Sequence, residues 1–201
     1  MSSRNNIING TITDLPSDTG IPLVLVGLGS NLGASSTTLH RAFIALQALS
    51  DFPVIVSSLW RTAPVDCPPG SPDFVNAVAA LLPRFHGKDV LAFARGVLGQ
   101  LHGIEEEFGR TRGDIQNTAR TLDLDLLTCG FLQVVASDLI LPHPRLHQRA
   151  FVLAPLAEIA PAHILPGQSL SVENLLAALK IGVQSNDKIQ RINIADTCVT
   201  L

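Results

Sequence analysis

Two aspartates separated by one residue are the clearest chemical signal in the chain. They lie in the segment RTLDLDLL, where leucine and aspartate alternate from Leu122 to Leu126. Because side chains of a β-strand point alternately to its two faces, Asp123 and Asp125 share one face, about 7 Å apart at the backbone. That spacing suits two hard cations, for which Mg²⁺ is the natural candidate. The same alternation is typical of the solvated face of a half-exposed strand, so the pair alone leaves both interpretations open.

Three arginines stand shortly before this acidic pair, at Arg110, Arg112 and Arg120. Guanidinium groups beside a carboxylate metal site neutralise polyphosphate oxygens that the metal ions do not reach. A solvated loop is the alternative interpretation, and it applies less to Arg120, which lies beside the acids. The combination favours a polyphosphate ligand.

A second basic group lies in the segment PHPRLHQR, with His143, Arg145, His147 and Arg149 close to two prolines that restrict the backbone. Two histidines four residues apart suggest zinc. However, Pro144 disfavours a helical pair, and no third ligand is evident. We therefore predict an anion site in which histidine and arginine contact phosphate or ribose.

Two glycine-rich phosphate motifs are excluded. The segment GLGSNLG at 27–33 places Leu32 where the dinucleotide-binding fingerprint requires glycine. A P-loop is absent because the pair Gly87 and Lys88 lacks the upstream glycine and the following serine or threonine. The glycines of GLGSNLG are then expected in a tight turn before a helix, which is compatible with a nearby ligand.

Aromatic residues make up only 4% of the chain, so the position of each large ring is informative. Phe74 follows the proline-rich loop APVDCPPGSPD, and Phe151 follows the histidine segment. Each is ordinarily a core residue. Asn76 shares a strand face with Phe74, and its amide has a donor and an acceptor that match the edge of a flat heterocycle.

Composition indicates a globular chain of 201 residues with 46% hydrophobic and 15% charged residues. The net charge of -3 argues against nucleic acid and anionic membranes as partners, and therefore against a phosphoesterase acting on nucleic acid. We expect small-molecule substrates and a monomer or weak dimer. The three cysteines show no C-x-x-C pair, and the N-terminus lacks a signal-peptide pattern, so we expect a cytoplasmic protein.

The order of apolar runs predicts an α+β fold with a ferredoxin-like βαββαβ core, in which helices pack on an antiparallel sheet. Helices near 149–159 and 171–181 follow this core. The predicted elements of the core are a strand at 21–28, a helix after Ser35, strands at 53–62 and 74–82, a helix at 88–108 and a strand at 121–126. We predict a flexible lead at 1–20, one domain at 21–185 and a polar tail at 186–201.

Five segments between residues 21 and 165 stand in a characteristic order: GLGSNLG, SSLWRTAPV, PDFVNAV, RTLDLDLL and LPHPRLHQRAFVLAPLAEIAP. Together they resemble the 6-hydroxymethyl-7,8-dihydropterin pyrophosphokinases of folate biosynthesis. The resemblance implies a ferredoxin-like fold. It also implies transfer of the terminal pyrophosphate of ATP to the hydroxymethyl oxygen of a dihydropterin, which releases AMP and requires two magnesium ions. A stand-alone enzyme is expected, without a fused synthase or aldolase domain.

The resemblance also assigns residues. Phe74 and Phe151 match the rings that sandwich the pterin, Asn76 matches a residue at its polar edge, and the backbone from Thr62 to Val65 matches its loop contacts. Asp123 and Asp125 match the metal ligands, and His143 and Arg149 match positions near the nucleotide phosphates. The residues that match catalytic positions are Arg110, Arg112, Arg120 and Asp123.

The chain departs from the family pattern at three places. Asn117, Thr118 and Ala119 stand where the family usually has Trp-Gly-Pro, Ala63 and Val65 replace Pro and Leu of Thr-Pro-Pro-Leu, and Pro144 replaces an aromatic residue. The missing tryptophan leaves an alternative function open, a pterin- or nucleotide-binding relative without productive loop closure.

Overall fold

The computed structural model describes residues 7–64, 67–109, 120–182 and 189–192. Three of the predicted site residues lie outside these ranges: Val65, Arg110 and Arg112. The altered segment at 117–119 lies outside them as well.

Within the described residues the chain forms nine strands and four α-helices. The helices are α1 (Ser35–Gln47), α2 (Val90–Glu107), α3 (Ala150–Ile159) and α4 (Val172–Gly182). The longer strands are β2 (Val24–Ser30), β5 (Phe74–Leu81) and β6 (Asp123–Cys129). The shorter strands are β1 (Ile7–Ile8), β3 (Val54–Val56), β4 (Trp60–Thr62), β7 (Val134–Val135), β8 (Ile140–Leu141) and β9 (Ile189–Arg191).

The main sheet has the strand order β1, β3, β5, β2, β6, with β4 also paired to β5 and β9 paired to β4. Strand β2 is antiparallel to both β5 and β6, whereas β1 is parallel to β3. Strands β7 and β8 form a separate antiparallel pair. This mixed sheet with four helices confirms the predicted combination of helices and sheet, while the ferredoxin-like topology stays a prediction.

Helices cover both faces of the sheet. One core packs α1 and α2 against Val24, Val26 and Leu28 of β2, together with Leu124 and Leu126 of β6. The other core packs α3 and α4 against Leu25 of β2 and Ile55 of β3. Because alternate residues of β2 are buried on both faces, the predicted continuous apolar run suits a central strand. The site described below lies on the α3 side.

Both predicted flanking segments contribute strands to the sheet. Ile7 and Ile8 of the expected lead pair with Val54 and Ile55, and Leu15 is buried in the second core. Strand β9 belongs to the expected tail and pairs with β4. Strands of two or three residues have too little periodicity to be detected from sequence, because only their pairing partners stabilise them. None of the helices in the described ranges is long and apolar enough to cross a membrane.

Candidate active site

A cleft opens between the central strands and the start of α3. Three neighbouring strands form its floor, since β5 contributes Asn76, β2 contributes Gly29 and β6 contributes Asp123 and Asp125. The remaining predicted residues that line the cleft are Thr62, Phe74, Arg120, Arg149 and Phe151. Folding therefore brings together residues that are 122 positions apart in sequence, as the numbers of Gly29 and Phe151 show.

The strand register explains why glycines occupy the middle of this floor. Gly29 pairs with Asn76 on one side and with Asp123 on the other, and Gly27 pairs with Asp125. A Cβ atom at Gly29 would lie 3.2 Å from Asn76 Oδ1, which is closer than ordinary van der Waals contact. Gly27 and Gly29 thus lie within β2 rather than in the predicted turn. Glycines two residues apart in an apolar strand leave one face of that strand without side chains, and this spacing is the sequence signal that could have indicated the cleft.

The two aspartates lie as the alternation in β6 predicts. Leu122, Leu124 and Leu126 are buried in the first core, and Asp123 and Asp125 face the cleft. Burial raises the pKa of Asp125, and the adjacent charge of Asp123 raises it further. His143, Arg149 and Arg120 act in the opposite direction without cancelling this effect. The free cleft therefore holds two carboxylates that repel each other.

Arg120 is fixed beside the acidic pair by both its side chain and its backbone. Its guanidinium Nη1 lies 2.8 Å from Asp123 Oδ1. Its backbone N–H donates to Asn31 Oδ1 at 2.8 Å, and its carbonyl accepts from the Asn31 N–H at 3.2 Å. Sequence reasoning missed Asn31, since a contact across 89 residues leaves no local signal. Asn31 Nδ2 is buried and has no hydrogen-bond partner among the described residues.

His143 lies behind the lining of the cleft, close enough for its charge to influence Asp125. Burial lowers the pKa of His143, although Asp125 opposes this shift. Its Nδ1 accepts the backbone N–H of Arg145 at 3.3 Å, so the neutral ring carries its proton on Nε2. Arg149 precedes α3 and places its guanidinium carbon 5.2 Å from the centre of the Phe151 ring. His147 contacts the exposed Gln148 and does not line the cleft.

The apolar end of the cleft holds the polar pair Asn76 and Thr62. Asn76 Nδ2 donates to Thr62 Oγ1 at 2.7 Å, and both residues are buried. The hydrogen bond orients the amide and leaves its Oδ1 and second N–H for another partner. Phe74 and Phe151 line the same end, together with Cys67. The hydroxyl of Thr62 was not predicted to contribute, since the resemblance assigns only its backbone.

The donor set fits Mg²⁺ bound together with a polyphosphate. No group of three metal-ligating side chains occurs among the described residues. Asp123 and Asp125 nevertheless offer hard oxygen ligands on one face. Mg²⁺ commonly binds through one or two carboxylates, with phosphate and water oxygens completing its octahedron. The raised pKa of Asp125 agrees with such a site, because a cation would relieve the repulsion between the carboxylates.

Comparison with known proteins identifies the family. Residues 25–161 match the model of the 7,8-dihydro-6-hydroxymethylpterin-pyrophosphokinase (HPPK) family. The chain belongs to the HPPK family. It is 38% identical over 159 residues to the 2-amino-4-hydroxy-6-hydroxymethyldihydropteridine pyrophosphokinase of Pseudomonas aeruginosa, covering 79% of this chain and 92% of the relative. The Synechocystis enzyme of the same name is 34% identical over 152 residues, with 76% and 73% coverage.

Solved structures agree with this assignment at the level of the fold. A Plasmodium falciparum HPPK-DHPS structure superposes with a TM-score of 0.62 at 12% identity and covers 88% of this chain. The chain spans about half the length of that protein, since only 48% of it is covered.

Family membership confirms the function expected from the sequence. HPPK enzymes transfer a pyrophosphoryl group to hydroxymethyldihydropterin in folate biosynthesis, with ATP as co-substrate. The relatives compared above are named as pyrophosphokinases, and none of these findings supports the alternative of a non-catalytic binding protein.

Proposed function

We propose that this chain transfers pyrophosphate from ATP to 6-hydroxymethyl-7,8-dihydropterin in the cleft between β5, β2, β6 and α3. The observation that carries the proposal is the common floor on which Gly29 separates Asn76 from Asp123. A flat heterocycle and a polyphosphate bound on either side of this glycine would meet in the middle. Catalysis of phosphoryl transfer depends mainly on such alignment and on neutralisation of charge.

The pterin end is formed by the amide and the two rings. Asn76, oriented by the hydroxyl of Thr62, presents a donor and an acceptor to the polar edge of the pterin. Phe74 and Phe151 line the same region and offer apolar surface to the faces of the ring. The backbone from Thr62 to Val65 is proposed to add hydrogen bonds, although Val65 lies outside the described residues.

The phosphate end is formed by charged groups. Asp123 and Asp125 would hold Mg²⁺, which supplies Lewis acidity and charge neutralisation to the phosphates when bound. Arg120 and Arg149, which line the cleft, present guanidinium groups to the phosphate oxygens. His143 is proposed to lie near the nucleotide phosphates as well, although it is not among the residues that line the described cleft. We propose the same catalytic role for Arg110 and Arg112, whose positions lie outside the described residues. We further propose that two Mg²⁺ ions bind.

In the proposed reaction, the hydroxymethyl oxygen forms a bond to the β-phosphorus of ATP. The bond between that phosphorus and the α,β-bridging oxygen breaks, and AMP leaves with the electron pair. The hydroxyl proton passes to water or to the Asp123 carboxylate. Arg120 is held on both its side chain and its backbone, so it is preorganised to offset charge that develops on the phosphates.

The remaining assignments are proposals for the molecule as a whole. The strand order β6, β2, β5, β3 supports a ferredoxin-like core within a single domain at 21–185. We propose that the protein acts as a monomer or weak dimer in the cytoplasm. The buried thiol of Cys129, which forms no disulfide among the described residues, agrees with a reducing compartment.

The test is AMP release from ATP, 6-hydroxymethyl-7,8-dihydropterin and Mg²⁺. The wild-type chain should release AMP only when the pterin is present, and Asp123→Asn should lose at least about a hundredfold of this rate, as expected for a metal-binding residue. Asp138→Asn is the matched control, because its carboxylate forms an exposed ion pair with Arg95 far from the cleft. Binding of pterin and ATP without AMP release by the wild type would contradict the proposal.

A further inference from the structure

Glu105 is a charged residue buried in the first core. It lies on α2, on the helix face that carries Leu101 and Ile104, and only 3% of its surface is exposed. A carboxylate in such a place is costly unless hydrogen bonds replace the lost water. The buried carboxyl group of Glu105 therefore needs a hydrogen-bond donor inside the protein.

A backbone group of the metal-binding strand provides that partner. Glu105 Oε1 accepts the N–H of Leu124 at 2.8 Å, in the buried interface between α2 and β6. Strand β6 pairs only with β2 among the described strands, so outward N–H groups on its other edge have no strand partner there. Glu105 fills this position with a carboxyl oxygen that accepts one of these N–H groups.

The position of Leu124 connects this hydrogen bond to the proposed metal ligands. Leu124 stands between Asp123 and Asp125, and its N–H belongs to the peptide unit that joins it to Asp123. Holding that peptide unit restricts the backbone at Asp123 directly and at Asp125 one residue further along. Glu105 lies with α2 in the core on the opposite face of the sheet from the cleft, and its hydrogen bond to Leu124 connects it to the carboxylates through β6.

We propose that Glu105 is a positioning residue that holds Asp123 and Asp125 in the geometry that binds Mg²⁺. The inference rests on the proposed function, because it takes these two aspartates as the metal ligands. Groups that orient metal ligands without touching the metal commonly change metal affinity by about 10- to 100-fold when they are removed. Glu105 also lies two residues before the end of α2, so it joins that helix to the metal-binding strand.

The experiment measures Mn²⁺ binding by electron paramagnetic resonance in the presence of α,β-methylene-ATP, which is not turned over. Glu105→Met removes the acceptor while keeping a side chain of similar length, and it should weaken Mn²⁺ binding by about tenfold or more. Glu105→Gln keeps an oxygen acceptor at this position and should bind Mn²⁺ within about threefold of the wild type. Leu101→Ala is the matched control on the same helix face. It should lower thermal stability and leave Mn²⁺ affinity unchanged.

Several outcomes would overturn the inference. Mn²⁺ affinity could be unchanged in Glu105→Met, or fall equally in Leu101→Ala, which would leave Glu105 a purely structural role. If Glu105→Met does not fold, wild-type Mn²⁺ affinity in Glu105→Asp, whose shorter side chain draws the acceptor away from the Leu124 N–H, would overturn the inference by itself. Failure of the proposed function gives a different result, since the wild-type protein would then bind no Mn²⁺ with the nucleotide analogue or release no AMP.

Discussion

The acidic pair in the cleft suits the binding of a cation but lowers the stability of the ligand-free protein. Asp125 is largely buried beside Asp123, and both burial and the neighbouring charge raise its pKa. An acid with a raised pKa in the folded state destabilises that state at any pH where it is ionised. The ionised carboxylate of Asp125, the proposed cation ligand, therefore destabilises the ligand-free protein.

Asp125→Asn should raise the melting temperature of the ligand-free protein at neutral pH and abolish metal-dependent turnover. The charged form of Asp125 is the unfavourable one, so the gain should be present above its folded pKa. The gain should vanish as the pH falls below the ordinary pKa of an aspartate, where the carboxyl is neutral in both states. Thermal melts of both proteins across this pH range check the prediction. A lower melting temperature for Asp125→Asn at neutral pH would contradict it.

Asn76→Leu should raise the KM for the pterin by about 10- to 100-fold and leave the KM for ATP close to its wild-type value. The buried amide is the group proposed to bond the polar edge of the pterin, and a ligand group left without its partner loses this much affinity. Thr62→Ser is the control, because serine retains the hydroxyl that accepts from Asn76 Nδ2. Equal changes in both KM values would show that Asn76 does not discriminate between the substrates.

Residue types and local spacing predicted part of the geometry of this cleft. The alternation around Asp123 and Asp125 predicted that both lie on one strand face, and the spacing of two predicted the same for Phe74 and Asn76. All four residues line the cleft. Asn31 and Glu105 could not be predicted in this way. Their partners are backbone groups far away in sequence, and only the folded chain brings them into contact.

At the scale of elements, the floor of the cleft depends on a central strand without side chains at two positions. Gly27 and Gly29 leave space between the side chains of β5 and β6. A larger residue at either position would fill the place where the two substrates are proposed to meet.

Gly29→Ala should raise the KM for the pterin by about tenfold. The added Cβ would lie 3.2 Å from Asn76 Oδ1, which is close enough to displace that oxygen. Gly96→Ala is the matched control, because no atom lies within 4 Å of its Cβ position in α2. Removing glycine from a helix interior stabilises by about 0.5–1 kcal/mol, so the control should be more stable and fully active. Steady-state kinetics and urea unfolding distinguish the two effects. Wild-type kinetics in Gly29→Ala would contradict the proposed floor.

Elements with strong periodicity were predictable and those without it were not. Helix α2 was predicted despite Gly96, Gly99 and Gly103, because its buried positions recur at helical spacing. The segment at 53–62 was expected as one strand but divides into β3 and β4. Between them the Ser57 hydroxyl accepts the Val78 N–H, a contact that sequence periodicity does not reveal.

At the scale of the whole molecule, a polar cluster of Ser58, Glu158 and Arg191 joins strand β9 to helix α3. Glu158 of α3 accepts the Ser58 N–H at 2.7 Å and pairs with Arg191 of β9 at 3.1 Å. Arg191 also donates to Ser58 Oγ. The cluster holds β9 beside β4, the strand that carries Thr62 to the cleft.

Glu158→Ala should destabilise the protein by about 1–3 kcal/mol, because it leaves a partly buried N–H without its partner. Asp138→Ala removes an ion pair whose side chains are 45% and 55% exposed, and should leave the stability nearly unchanged. Urea unfolding of the two variants provides the comparison. Equal losses of stability would show that the Glu158 cluster contributes no more than a surface ion pair.

The central claim is that the cleft transfers two phosphates together from ATP to the pterin. The most direct test is ³¹P nuclear magnetic resonance of the products formed from ATP, 6-hydroxymethyl-7,8-dihydropterin and Mg²⁺. The account predicts AMP and a pterin that carries two coupled phosphorus nuclei, in equal amounts. ADP with a pterin monophosphate, or AMP with free pyrophosphate and unmodified pterin, would contradict it.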